Sequence, residues 1–291
     1  MRLLVSNFAS ELLSDSLTVL CSSPALSVCC DDKCFSSLPG LVRHHSQATD
    51  ADMTTLREQA KTSLPQVTRV IRNSLSHGRN TLEAEREQFE YDQTNAVSKA
   101  LSAIECPVKE KHMRTILIGT FQHKSSNTFW SLVCSKAPLH GNPIVCWKFL
   151  HVLHKLLREG HQVTLSESYK HKGLIEDLGK LWGHLKEGFG HLISLYAKLL
   201  VQKLDFHRRN TEFPGNLSVD KETLIRIGNN DAGKFYELAI ELLDYMDEIL
   251  AVEKGVFSSL DMGRSNSMTA SGQCRLAPLI VCIQVIINAP Y

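Results

Sequence analysis

The sequence predicts an all-α fold, a solenoid-like stack of antiparallel helices, and three observations carry that expectation. Apolar residues recur every three or four positions: within 181–204, Leu181, Leu185, Phe189, Leu192, Leu195, Leu199 and Leu200 form one such stripe. Breakers fall between the periodic runs, at Pro107, Pro138, Gly141 with Pro143, Gly160, and Pro214 with Gly215. Almost nothing alternates with the period of two that a half-buried strand requires.

Taken in order, residues 1–80 are rich in Ser and Thr, carry Pro24, Pro39 and Pro65, and hold no sustained period beyond a weak amphipathic stretch near Leu56–Leu75. They are expected to form a mostly disordered extension. The helical domain is expected over 81–291. Thr81 followed by Glu83, Glu85 and Glu87 is a helix start with acids where the macrodipole favours them. Helices are then expected at about 82–104, 108–122, 126–136, 143–159, 166–208, 219–227 and 232–259, with Gly179, Gly183, Gly188 and Gly190 as possible divisions of the long segment. Packing such amphipathic helices side by side buries their stripes.

Composition narrows function. The chain has 291 residues, a formal net charge of +1 and 43% hydrophobic residues, a globular composition with no global attraction to nucleic acid or anionic lipid. Affinity for phosphate therefore has to come from a local cluster. The longest strongly apolar run, Leu276–Ile287, has 12 residues, short of the roughly 20 that span a bilayer. Polar residues interrupt the N-terminal MRLLV segment, which argues against a secretory signal. Cys106, Cys134, Cys146, Cys274 and Cys282 are scattered singly and read as reduced core thiols, while Cys21, Cys29, Cys30 and Cys34 fit no ordinary zinc spacing. No metal site and no cofactor are expected.

The informative stretch is SKALSAIECPVKEKHMR. Lys99 lies in the last turn of one helix, and Lys109, Lys111 and His112 open the next after Pro107. With Arg114, four basic side chains face only Glu105 and Glu110, and the lysines crowd a helix N-terminus that repels cations by roughly 0.3 to 1 kcal/mol each. An anion between them reverses that cost, because free backbone N–H groups and ammonium groups then act on one phosphate. Basic runs are usually only solvated, so spacing alone favours a charged corner open to water.

Other candidates carry less. His151 and His154 lack the glutamate and the separation of a metalloprotease pair. His184 and His191, seven apart, are expected on one helical face in structural roles. Phe129, Trp130, Trp147, Phe149 and Trp182 sit in apolar helical patterns, away from any basic strip of the kind that binds single-stranded nucleic acid, and are expected in the core. Neither a phosphate-binding G-x-x-x-x-G-K-[ST] loop nor a G-x-S-x-G elbow occurs, and no enzyme activity is expected.

The stretch EREQFEYDQTNAVSKALSAIECPVKEKHMRTILIGT resembles the start of an ANTH domain, as in the huntingtin-interacting protein 1 family. That family's lipid signature is a lysine, nine residues, then a basic run ending in histidine or tyrosine. Here Lys99 is followed after nine residues by KEKH at 109–112. TFWSLV at 128–133, CWKFLHVLHKLLREGH at 146–161, LWGHLKEGFGHL at 181–192, FPGNL at 213–217 and SGQCRLAPLI at 271–280 extend the similarity over about residues 82–280.

The resemblance implies an ANTH-like superhelix that binds phosphoinositide headgroups through Lys99, Lys109, Lys111 and His112. It places the protein in the cytoplasm, peripheral on the plasma membrane and on clathrin-coated pits or vesicles, as an adaptor in clathrin-mediated endocytosis. Clathrin and F-actin are partners implied for full-length family members only. Family members continue through further helices, so the domain is expected to be incomplete at its C-terminus and to leave the apolar segment after Leu279 uncovered. The competing reading is a helical protein-interaction scaffold that binds no lipid.

Overall fold

The computed structural model describes residues 81–185, 188–229, 231–262 and 267–288. The expected disordered extension, residues 1–80 with its four clustered cysteines, lies outside the described residues. Among the described residues every regular element is a helix. In chain order they are α1 (residues 81–100), α2 (Glu110–Gln122), α3 (Asn127–Lys136), α4 (Pro143–Glu159), α5 (Val163–Tyr169), α6 (Lys172–Gly183), α7 (Gly190–Arg209), α8 (Lys221–Gly228), α9 (Ala232–Met262) and α10 (Ala270–Asn288). Residues 81–90 belong to a separate compact unit; all but Phe89 are exposed, and Arg86 pairs with Glu90 at 3.1 Å. From residue 91 onward the described residues form one unit.

Helix α4 begins cleanly for local reasons. The Asn142 side chain accepts from the N–H groups of Ile144 and Val145 at 2.9 and 3.2 Å, and Pro143 supplies a first residue with φ preset. Its middle is apolar nearly all round, the pattern of a helix enclosed by others: Val145, Cys146, Trp147, Phe149, Leu150, Val152, Leu153, Leu156 and Leu157 are buried. Helix α7 is the other centre, packing against α4, α5, α6 and α9. Gly179 lets α6 approach it, because a Cβ there would stand 2.9 Å from the Cβ of Ala197. Helix α10 closes the core against α9 and α4.

Each tryptophan spends its N–H on a distant element: Trp130 on the Ser168 hydroxyl (3.1 Å), Trp147 on the Cys274 carbonyl (2.8 Å) and Trp182 on the Leu139 carbonyl (3.0 Å). The expected aromatic core, Phe129, Trp130, Trp147, Phe149 and Trp182, is buried throughout. These pairings satisfy polar atoms that burial would otherwise leave costly.

Several expectations are corrected. The segment expected as one helix over 166–208 is three, α5 to α7. Turns at Lys170–His171 and around Gly188, whose φ of +67° suits glycine, interrupt it. Leu181 and Leu185 therefore leave the buried stripe and are exposed. His184 follows the end of α6 while His191 lies in α7, so the two share no helical face, and both are exposed. The first helix stops at residue 100, not 104. Of the single cysteines, Cys146, Cys274 and Cys282 are buried, and burial pushes their thiols up to about 12. Cys106 is half-buried and Cys134 is exposed.

The apolar segment after Leu279 is not left uncovered. It forms the second half of α10, where Val281, Cys282, Val285 and Ile286 are buried; Ile287 is exposed. By length and composition alone residues 270–287 would suffice to cross a membrane, and more than half of that stretch is buried within the fold.

The interior also holds titratable groups. His154 is fully enclosed and shares a 3.0 Å hydrogen bond with the Tyr196 hydroxyl. Lys203 donates to the Gly215 carbonyl at 2.6 Å and to His207 Nε2 at 3.3 Å, pinning the connection after α7. Burial first, and the Lys203 charge second, hold both His154 and His207 well below the ordinary histidine range. The folded state thus keeps these rings neutral, whereas the unfolded chain protonates them near pH 6.5. The contribution of the two rings is complete above that pH and falls below it, by about 1.4 kcal/mol per ring per pH unit. Unfolding free energies from urea titrations at pH 7, 6 and 5 are expected to drop steeply, these two rings alone removing about 4 kcal/mol at pH 5; a flat profile would contradict the buried-neutral assignment.

Candidate anion-binding corner

Helices α1 and α2 meet closely because Gly119 of α2 has no Cβ. One there would stand 2.5–2.7 Å from the end of the Gln93 side chain, which is buried and donates to the Thr115 carbonyl at 2.9 Å. On α1, Ala96, Val97 and Ala100, with Leu101 just beyond, turn inward and leave Lys99 exposed at the helix end. On α2, Met113 and Ile116 turn inward. Lys109 then falls at the N-cap, extended with φ −69° and ψ 128°, and Lys111 and His112 in the first turn.

The N-terminus of α2 has no side-chain cap; the His112 and Met113 N–H groups donate to the Lys109 carbonyl, which leaves those of Glu110 and Lys111 for a surface ligand. Lys99, Lys109 and Lys111 are exposed and His112 is half-buried. Among the described residues none of the three lysines forms an ion pair. His112 is held below its ordinary value, first by burial and then by the charges of Lys111, Lys99 and Lys109. All four residues therefore share one electrostatic neighbourhood, as their spacing suggests. Such a corner favours a multiply charged anion, which would relieve both the lysine repulsion and the cost at the helix start.

The connection between α1 and α2 is tied to distant elements that no sequence pattern revealed. Lys148 of α4, 2% exposed, donates to the Ser102 carbonyl (3.0 Å), the Ser102 hydroxyl (3.1 Å) and the Ile104 carbonyl (2.6 Å). Arg275 of α10 pairs with Glu105 at 3.3 Å and lies over the Phe189 ring at 4.6 Å, and the Ser271 hydroxyl also donates to Glu105. Glu105, one of the two acids counted against the cluster, thus already has a cationic partner.

A cavity of about 280 Å³ elsewhere in the fold is lined by His161, Tyr169, His207, Arg208 and Phe213 among others, and by none of the corner residues. Among the described residues no three His, Cys, Asp or Glu side chains are grouped so as to hold a metal ion.

The family model for the ANTH domain matches residues 92–288. The chain belongs to the ANTH domain family. Huntingtin-interacting protein 1 of Homo sapiens is 47% identical over 72% of this chain, which places the ANTH domain on the branch expected from the sequence. The chain spans about a fifth of the length of the curated relatives it matches. Two solved structures share the fold at a TM-score of 0.60. One is the ENTH domain from epsin-2 in complex with phosphatidylinositol 4,5-bisphosphate, 30% identical, with 69% of this chain and 76% of that chain covered. The other is the endocytic adaptor complex AENTH, 28% identical, with 69% and 79% covered.

Proposed function

We propose that this ANTH domain is the phosphoinositide-binding module of an adaptor in clathrin-mediated endocytosis, and that Lys99, Lys109, Lys111 and His112 hold the headgroup phosphates. The observation that carries this reading is the gathering of three unpaired ammonium groups and one imidazole at the uncapped N-terminus of α2. The similar epsin-2 domain, solved with a phosphoinositide, supports the ligand class. The domain works by binding, with no bond made or broken in the lipid. It acts in the cytoplasm at the inner face of the plasma membrane and at clathrin-coated pits or vesicles. Links to clathrin and F-actin are implied for full-length family members, and none of the described residues is assigned to them.

Basic residues at an anionic membrane surface contribute about 1 kcal/mol each. Reversing two of them is therefore expected to weaken binding by about thirtyfold or more. Co-sedimentation with phosphoinositide vesicles should be strong for the unaltered chain at low salt, weaker at high salt, and lost in the Lys109→Glu, Lys111→Glu variant. Equal pelleting of the two folded proteins, insensitive to salt, would replace the lipid reading with a protein-interaction scaffold.

His112 adds a pH dependence whose sign follows from linkage. In the free protein burial and the three lysines hold it below 6.5, whereas a bound phosphate raises it. Binding therefore takes up a proton, and its contribution grows as pH falls from the bound-state value toward the free-state value. Between pH 7.5 and 6 the affinity advantage of the unaltered chain over His112→Gln is expected to widen. A constant ratio across that range would remove His112 from the headgroup contacts.

A further inference from the structure

The connection between Lys99 and Lys109 is held from two sides. An eight-to-ten-residue flexible segment has an r.m.s. end-to-end distance of roughly 15–19 Å with wide fluctuation. Two lysines on its ends would meet a diffuse negative surface well but a fixed pattern of phosphates poorly. Here the segment is tethered in its middle, at Ser102, Ile104 and Glu105, by side chains from α4 and α10.

Lys148 is the stronger of the two ties. Enclosing an ammonium costs several kcal/mol unless its donors are satisfied. An ammonium has three donors, and those of Lys148 meet three oxygens, all belonging to Ser102 and Ile104. It has no carboxylate partner among the described residues. An apolar side chain would fill the same space without that desolvation cost, so what a lysine adds at this position is a hold on the connection's carbonyls. Arg275 supplies the second tie. Stacked on Phe189 and bonded to Ser271 at 2.7 Å, it is itself fixed before it meets Glu105.

We propose that Lys148, Glu105 and Arg275 are positioning residues for the corner: they hold the α1–α2 connection so that Lys99 stands at a set separation from Lys109 and Lys111. The site thereby distinguishes a multiply phosphorylated inositol headgroup by the placement of its phosphates, beyond its net charge. None of the three touches the ligand. This inference rests on the lipid-binding reading above.

Glu105→Gln separates positioning from charge, because the two predict opposite signs. The substitution makes the corner more positive, which by electrostatics alone strengthens binding to any anion. If Glu105 acts by holding the connection, weakening its pairing with Arg275 lowers affinity for a headgroup of fixed geometry. Titration calorimetry of the full chain with soluble inositol 1,4,5-trisphosphate is expected to show about fivefold weaker binding for Glu105→Gln. Pelleting with phosphatidylserine vesicles should stay equal or increase. Lys148→Met, with its fold checked by circular dichroism and thermal unfolding, is expected to lower the ratio of trisphosphate to phosphatidylserine affinity in the same way. Trisphosphate affinity unchanged or stronger in Glu105→Gln would overturn the inference whatever becomes of Lys148→Met. Failure of the unaltered chain to bind trisphosphate or phosphoinositide vesicles would instead sink the lipid reading, and the inference with it.

Discussion

The ammonium group of Lys148 links the enclosed middle of the domain to its charged corner. It sits on α4, a helix buried on nearly every side, and its three donors reach carbonyl and hydroxyl oxygens of the connection between α1 and α2. A buried charge of this kind is tolerated only with its donors satisfied, so the connection and the core hold each other in place. Arg275 repeats the tie from α10. What stands at the surface as a loose group of lysines is therefore mounted on rigid elements, the condition under which separate charges act on one ligand.

How much of this was legible in the sequence follows from range. The start of α2 was readable because its signals are local: Pro107 breaks the preceding run, and Lys109, Lys111 and His112 violate the charge preference of a helix start. The aromatic core was readable from periodicity. Lys148 was not, since within CWKFLHVLHK a lysine reads as the wet side of an amphipathic helix, and its partners lie 44 to 46 residues away. Contacts between a side chain and distant backbone carbonyls leave no spacing to detect. The break around Gly188 was only hinted at by a row of glycines, and α10 escaped expectation because a continuous apolar run, with Pro278 inside it, carries no helical period.

Protonation acts on the corner and on the core in opposite directions. A proton on His112 meets repulsion from three lysines, which an anion held there as proposed would relieve. A proton on His154 or His207 has no anion to meet, because these rings face Tyr196, Lys203 and enclosed backbone. Acid therefore destabilises the interior, while under the proposed reading mild acid favours the anion at the surface. The same residue type serves both ends because solvent access, and not identity, decides which form is stable.

The most direct test of the central claim is to follow the backbone amide resonances of the folded chain as soluble inositol 1,4,5-trisphosphate is added. If the uncapped start of α2 is the phosphate site, the amides of residues 109–113 shift most, with those near Lys99 following and the remainder of the domain little changed. Saturable shifts centred elsewhere, for instance around His161 and Arg208, or no shifts at all in a folded protein, would contradict the account.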